Sequence, residues 1–396
     1  MRQFENPAPA GGGLLQRHVP ALDGVRGVAV LGVMLAHVYT LPASTHWGSE
    51  VQGFLHFAGV GVVLFFVLSG FLITGILVDS VGDPHFFRNF YLRRVLRIAP
   101  LYYGVLLVFA ATVWWGGKQY GHELISLALY LQNTSVLTPQ IWYYEGPSQL
   151  PLLHFWTLAV EEQFYLVWPL LISVLVSRRN VFRACVMGAL LSLVLRFVLV
   201  THGRVAEDVH GMTICRLDTL LGGGALAMLV ESRWRAAVLR SAAWLLSGGL
   251  VLALLCDHAG RFVPHSYVVG SSAYTLSFLA YSLACVGFVA LALRPEGEVS
   301  RLLRWMPLRR LGRYSYGLYV FHYIFLGLWG SCWRAWLQKH GSGSAAMAVF
   351  LTGSAIVAVS LLAAIVSYEL YEKPFLRLKR LLPYAEGTAK AAVSTR

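Results

Sequence analysis

The chain has 396 residues, 57% hydrophobic and only 13% charged, with 32 Lys and Arg against 19 Asp and Glu for a net charge of +13. A soluble domain carries about twice that charged fraction. The apolar residues also run in long blocks, which excludes a water-soluble globule and predicts an all-α polytopic membrane protein. The positive excess does not call for a nucleic-acid partner, because the basic residues gather in alternate loops, as topology-setting charge does. No apolar stretch before a small-residue cleavage site is visible in Met1 to Val19. The five cysteines (Cys185, Cys215, Cys256, Cys285, Cys332) show neither metal-ligand nor disulfide-framework spacing.

Residues 1–20 read as a disordered cytoplasmic N-terminus, 21–378 as the transmembrane domain and 379–396 as a cytoplasmic tail. With about 17 to 25 apolar residues per span, about ten helices are predicted. They lie near 24–41, 54–78, 98–116, 153–176, 181–201, 214–230, 237–256, 269–293, 311–330 and 345–371. The stretch 120–152 leaves room for a short re-entrant or interfacial segment. Arg88, Arg93, Arg94 and Arg97, then Arg178, Arg179 and Arg183, then Arg233, Arg235 and Arg240 mark one side. Arg301, Arg304, Arg309, Arg310 and Arg313, then Lys373, Arg377, Lys379 and Arg380 continue it. The opposite loops are poor in basic residues and carry Glu50, Glu123, Glu145, Glu207 and Asp257. Both termini are therefore expected in the cytoplasm and the protein in the cytoplasmic membrane.

The first helix holds Arg26 and His37 eleven residues apart. That is about three turns, so both project from one face roughly 16 Å apart along the axis, with Asp23 near the same face. An ionisable stripe inside a membrane is costly unless it lines a cavity or meets partners. A lone membrane histidine more often serves packing; Arg26 and Asp23 in line with it favour a neutral imidazole acting as general base.

The third helix opens with Arg93, Arg94 and Arg97. Arg93 and Arg97 share a face, and guanidinium groups bind phosphate bidentately; topology-setting charge is the competing use. The fourth carries Glu161 and Glu162, about 14 Å deep, which is the expected depth of His37. Adjacent residues point about 100° apart, so at most one carboxylate faces a given cavity, where it would orient His37 or stay protonated. The alternative is a structural pair bonded to Arg196 or Arg216. Arg216 and Asp218 read as an internal ion pair, and His322, one turn after Tyr319, as lining the same cavity or serving packing. The charges from Tyr368 to Lys373 read as helix termination, and Gly222-Gly223-Gly224 as helix packing, since no strand precedes it. On the outer side, Ile141-Trp-Tyr-Tyr-Glu145 would suit sugar stacking, though interfacial anchoring is commoner.

In order, Leu22-Asp-Gly-Val-Arg26…His37, Gly61 to Ile73 with Ser69-Gly70-Phe71, Arg93-Arg94-Val-Leu-Arg97-Ile-Ala-Pro100, Phe155 to Tyr165, Arg216-Leu-Asp218 and Leu311 to His322 resemble the bacterial acyltransferase family 3. These are integral-membrane acyltransferases of surface sugars and some secondary metabolites. Each piece is weak alone; the ordered set, from residue 20 to about 378, is specific. The family's Arg-x10-His pattern maps onto Arg26 and His37, its arginine stretch onto Arg93, Arg94 and Arg97, and its Glu-bearing helix onto Glu161 and Glu162. The family usually has Ser where Thr157 and Ala159 stand here.

The resemblance implies O-acyl transfer from cytoplasmic acyl-CoA, most often acetyl-CoA, as a donor substrate, with no bound cofactor and no metal. The acceptor would be a hydroxyl of an exopolysaccharide, lipopolysaccharide or lipid-linked glycan, or a macrolide-type metabolite. Arg26, Arg93, Arg94 and Arg97 would meet the donor phosphates. His37, oriented by Glu161 or Glu162, would act as base or transient acyl carrier, with Asp23, Arg216, Asp218, Tyr319 and His322 as structural or cavity-lining residues. Some relatives carry a fused extracytoplasmic hydrolase-like domain. This sequence is too short for one, so acyl transfer is expected to be completed by this chain or by a separate extracytoplasmic partner; a homo-oligomer is the other partner considered. A proton-coupled transporter, or a scaffold of an export complex, are the readings from other classes.

Overall fold

A computed structural model describes residues 18–39, 59–116, 121–134, 152–204, 206–262, 267–340 and 345–383. Among them the chain is helical throughout, without a strand. The long helices, in order, are α1 (Pro20–Val38), α2 (Gly61–Ser80), α3 (Phe86–Trp115), α4 (Trp156–Leu175) and α5 (Arg178–Thr201). They continue with α6 (Leu217–Val230), α7 (Arg235–Phe262), α8 (Tyr267–Ala292), α9 (Met306–His340) and α10 (Ala345–Val366). Among the described residues eight helices are long and apolar enough to cross a membrane, while Leu217–Val230 is apolar but shorter. Each of the ten predicted spans coincides with one of these helices over its described residues.

The bounds move where charge conceals helix. α3 begins at Phe86, ahead of the arginine stretch expected to open it, and α9 extends over 35 residues. The short segment foreseen within 120–152 is the helix Gly121–Ala128. Tyr102 donates to the Leu127 carbonyl and Tyr103 to that of Ala128. The aromatic stretch from Ile141 to Glu145, most of residues 1–20, and the end of the tail lie outside the described residues.

In lipid, helices are drawn together by close packing of small residues more than by hydrophobicity. α1 and α9 run parallel, and their backbones touch. A side chain at Gly27 would collide with the Leu308 carbonyl, and one at Gly312 with that of Asp23. α2 and α6 meet in the same manner, Gly70 against Leu220 and Gly223 against Val67, as the helix-packing reading of the glycine triplet requires. The α1–α9 contact sets a register with a consequence: Gly312 lies against Arg26, and ten residues further on His322 meets His37, eleven after Arg26.

Candidate active site

Where α1, α2, α3, α4 and α9 converge they line a partly open cavity of about 130 Å³. Arg26 enters it from α1, Ser69 from α2, Arg94 and Arg97 from α3, Glu161 and Tyr165 from α4, and Tyr316 and Tyr319 from α9. Arg26 is tied to Asp23 at 3.1 Å, and the other oxygen of Asp23 lies 2.7 Å from His18. Glu161 accepts a hydrogen bond from Tyr165 at 3.0 Å; the Tyr165 hydroxyl also meets that of Ser69. The Arg94 guanidinium lies over the Tyr165 ring, 5.8 Å from its centroid. Three cations and one carboxylate thus share a small space between the helices.

The structure separates residues that the sequence had grouped. Arg94 and Arg97, three apart, line the cavity, whereas Arg93 donates to the backbone carbonyls of Lys379 at 3.0 Å and Leu382 at 2.8 Å. Asn89 adds a bond to the Pro383 carbonyl. Arg93 therefore fastens the C-terminal segment, because the helical twist turns it away from its neighbour. That segment brings Lys379 within the electrostatic reach of Arg26, Arg94 and Arg97. Glu162 does not line the cavity; it diverges from Glu161 as adjacent helical residues must, and its Oε1 is buried with no hydrogen-bond partner among the described residues.

His37 also lies outside the cavity lining, and its partner is another imidazole rather than a carboxylate. Its Nδ1 is 3.0 Å from Nε2 of His322. The expected match in depth with Glu161 does not hold. The α4-side residue at the level of His37 is His154, whose ring is 5.3 Å from that of His322 and whose Nε2 donates to the Val320 carbonyl at 3.2 Å. Glu161 comes seven residues later, about 10 Å further along the helix. Tyr319 stands between the two regions. It lines the cavity and packs on both His154 and His322, while its hydroxyl meets the His154 carbonyl at 2.7 Å and Thr157 at 2.5 Å. The hydroxyl retained at Thr157 is thus in use, and Ala159 is buried.

Arg216 and Asp218 are not an ion pair with each other. Asp218 pairs with Arg196 at 2.9 Å, and Arg216 donates to the His210 carbonyl at 2.7 Å. Both guanidinium groups pack on Phe278, each 4.4 Å from the ring centroid. This cluster ties α5, α6 and α8 together away from the cavity, so neither arginine serves Glu161 or Glu162. Sequence reasoning missed His154 and gave no role to Ser69 or Tyr165. The spacing of seven between His154 and Glu161, two turns along one face, was the available signal for the first.

A family model described as an acyltransferase domain matches residues 19–368. The chain belongs to this acyltransferase family. It is 32% identical over 329 residues to YrhL of Bacillus subtilis, whose name assigns it provisionally to peptidoglycan O-acetylation; the match covers 78% of this chain and 48% of that protein. It is 30% identical to the O-acetyltransferase OatA of Staphylococcus aureus, covering 78% and 50% of the two chains. To the peptidoglycan O-acetyltransferase OatA of Listeria monocytogenes it is 30% identical, covering 82% and 53%. The chain thus spans about half the length of the relatives it matches. No solved structure matches it.

Proposed function

We propose that this chain is a membrane O-acetyltransferase carrying an acetyl group from cytoplasmic acyl-CoA to a sugar hydroxyl, with peptidoglycan as the acceptor to test first. The names of the relatives support O-acetylation and turn the choice of glycan toward peptidoglycan, ahead of exopolysaccharide or lipopolysaccharide. The observation that carries the donor reading is the convergence of Arg26, Arg94 and Arg97 with Glu161 on one cavity. Guanidinium groups brought together at such cost in lipid suit a polyanionic substrate. The cavity has about the volume of a few liquid waters, enough for the acyl end of the donor while its phosphates meet the arginines and Lys379. The cluster of cytoplasmic-type charge at this end of α3 and α9 orients the pocket toward the cytoplasm.

In this reading the thioester passes Tyr319 and Thr157 to reach the histidines. His37 takes the proton from the acceptor hydroxyl as its oxygen bonds to the acyl carbon, the carbon–sulfur bond breaks, and the imidazolium returns the proton to the departing thiolate. An unassisted hydroxyl holds almost no alkoxide near neutral pH, which is why a base is required. Asp23 holds Arg26, and Tyr165 holds Glu161, in place for the donor. Membranes bearing the chain, given acetyl-labelled acetyl-CoA and peptidoglycan, should transfer label to a base-labile ester. Label that stays on CoA with every glycan offered would remove the proposal, and solute movement without esterification would replace it with transport.

A further inference from the structure

The hydrogen bonds around His322 decide which nitrogen of His37 carries a proton. His322 Nδ1 lies 2.7 Å from the carbonyl oxygen of Tyr319 and 3.2 Å from that of Leu318. A carbonyl oxygen only accepts, so Nδ1 bears the hydrogen and Nε2 of the neutral ring presents a lone pair. That lone pair faces His37 Nδ1 at 3.0 Å. Two lone pairs do not face each other at that distance, so His37 Nδ1 is the N–H. The two rings are within 5° of parallel with centroids 5.3 Å apart, the separation that edge-to-edge contact across such a bond requires. His37 Nε2 is left as the ring's only basic nitrogen.

We infer that His322 is a positioning residue that locks His37 in the Nδ1–H tautomer and aims its Nε2 at the substrate. The inference rests on the reading of His37 as the base. His322 suits this task and not proton relay: it is fully buried, and its own N–H is committed to two carbonyls of its helix. The surroundings hold it there. His154 packs edge-on against it, with its Nε2–H spent on Val320 and its Nδ1 buried without a partner among the described residues. Tyr319 and Tyr323 close the remaining sides, and Tyr323 meets His37 edge-on with centroids 5.5 Å apart. When His37 gains a proton at Nε2 its bond to His322 persists, so the imidazolium forms without any ring turning. This arrangement does for a histidine base what an orienting carboxylate does elsewhere, through a neutral group that costs less to bury in lipid.

The test uses the full-length protein in lipid nanodiscs with ¹⁵N-labelled histidine, the His37 resonances being assigned by their loss in His37→Gln. The wild type is expected to show His37 with a protonated Nδ1 and an unprotonated Nε2. His322→Leu should release it to a tautomer mixture and lower acetyl transfer by about 10–100-fold, mainly in kcat. His322→Gln, which keeps an acceptor oxygen near the position of Nε2, should restore the Nδ1–H signature and recover much of the rate. A wild-type His37 protonated at Nε2 would overturn the inference, as would a tautomer unmoved in His322→Leu. If that variant does not fold, the wild-type and His322→Gln spectra decide. Should the spectra match while His37→Ala keeps full activity, the base reading fails and the tautomer assignment stands.

Discussion

The arginine-lined cavity and the histidine cluster meet at Tyr319 of α9, and they bury polar groups differently. In the cavity, Arg26, Arg94, Arg97 and Glu161 face open space, and only some of their charge is met by Asp23 and Tyr165. In the cluster, four ring nitrogens of His37, His154 and His322 are engaged by carbonyls or by each other, and the charge is zero when the rings are neutral. Unmet charge in a membrane marks a place where a ligand completes the electrostatics. A neutral network with four of its six ring nitrogens engaged marks a place where geometry is being held. The first has the properties of a binding region and the second those of a preorganised chemical one.

Several substitutions would break or sharpen that contrast. The largest effect is expected at His37: His37→Ala should lower acetyl transfer by about 10²–10⁴-fold while the protein still inserts, as measured by label transfer in membranes of matched protein content. Full activity would place the chemistry elsewhere. Next come the arginines. Arg94→Gln or Arg97→Gln should raise the donor KM by roughly 10- to 100-fold, the worth of a charge-assisted phosphate contact. Arg93→Gln should raise the donor KM less, only through the loosened segment that carries Lys379, and should expose that segment to faster hydrogen exchange. Equal KM effects at Arg93 and Arg94 would dissolve the distinction between fastening and binding.

The adjacent carboxylates offer a smaller comparison. Glu161→Gln should cost about tenfold in kcat/KM, one charge-assisted hydrogen bond, and Glu162→Gln markedly less; steady-state kinetics on the pair would reveal a reversed order. The smallest effect is expected at the start of α1, where the hydrogen bond from His18 to Asp23 raises the His18 pKa above its ordinary 6.5. A raised pKa in the folded state means that the contact contributes fully below the unfolded value and is lost as pH rises through the folded one. An NMR titration should therefore find the His18 pKa lower in Asp23→Asn than in the wild type. An unchanged value would detach this link from Arg26.

The spans were legible because membrane helices must satisfy their backbones internally and read as long apolar blocks. The one-face alignment of Arg26 and His37, and the divergence of Glu161 from Glu162, followed from helical periodicity alone. Periodicity fixes the angle between residues on one helix and says nothing about which helix lies opposite. The sequence therefore paired His37 with a carboxylate and Arg216 with Asp218, where packing supplied His322 and Arg196. Those partners depend on register, and register depends on contacts such as Gly312 against Asp23, where two backbones touch because neither helix carries a side chain between them. The ordered motifs and the membrane class belong to the one-dimensional chain. Which arginines and which carboxylate line the cavity, and which side chain lies against His37, are decided by neighbours that only the folded bundle brings together.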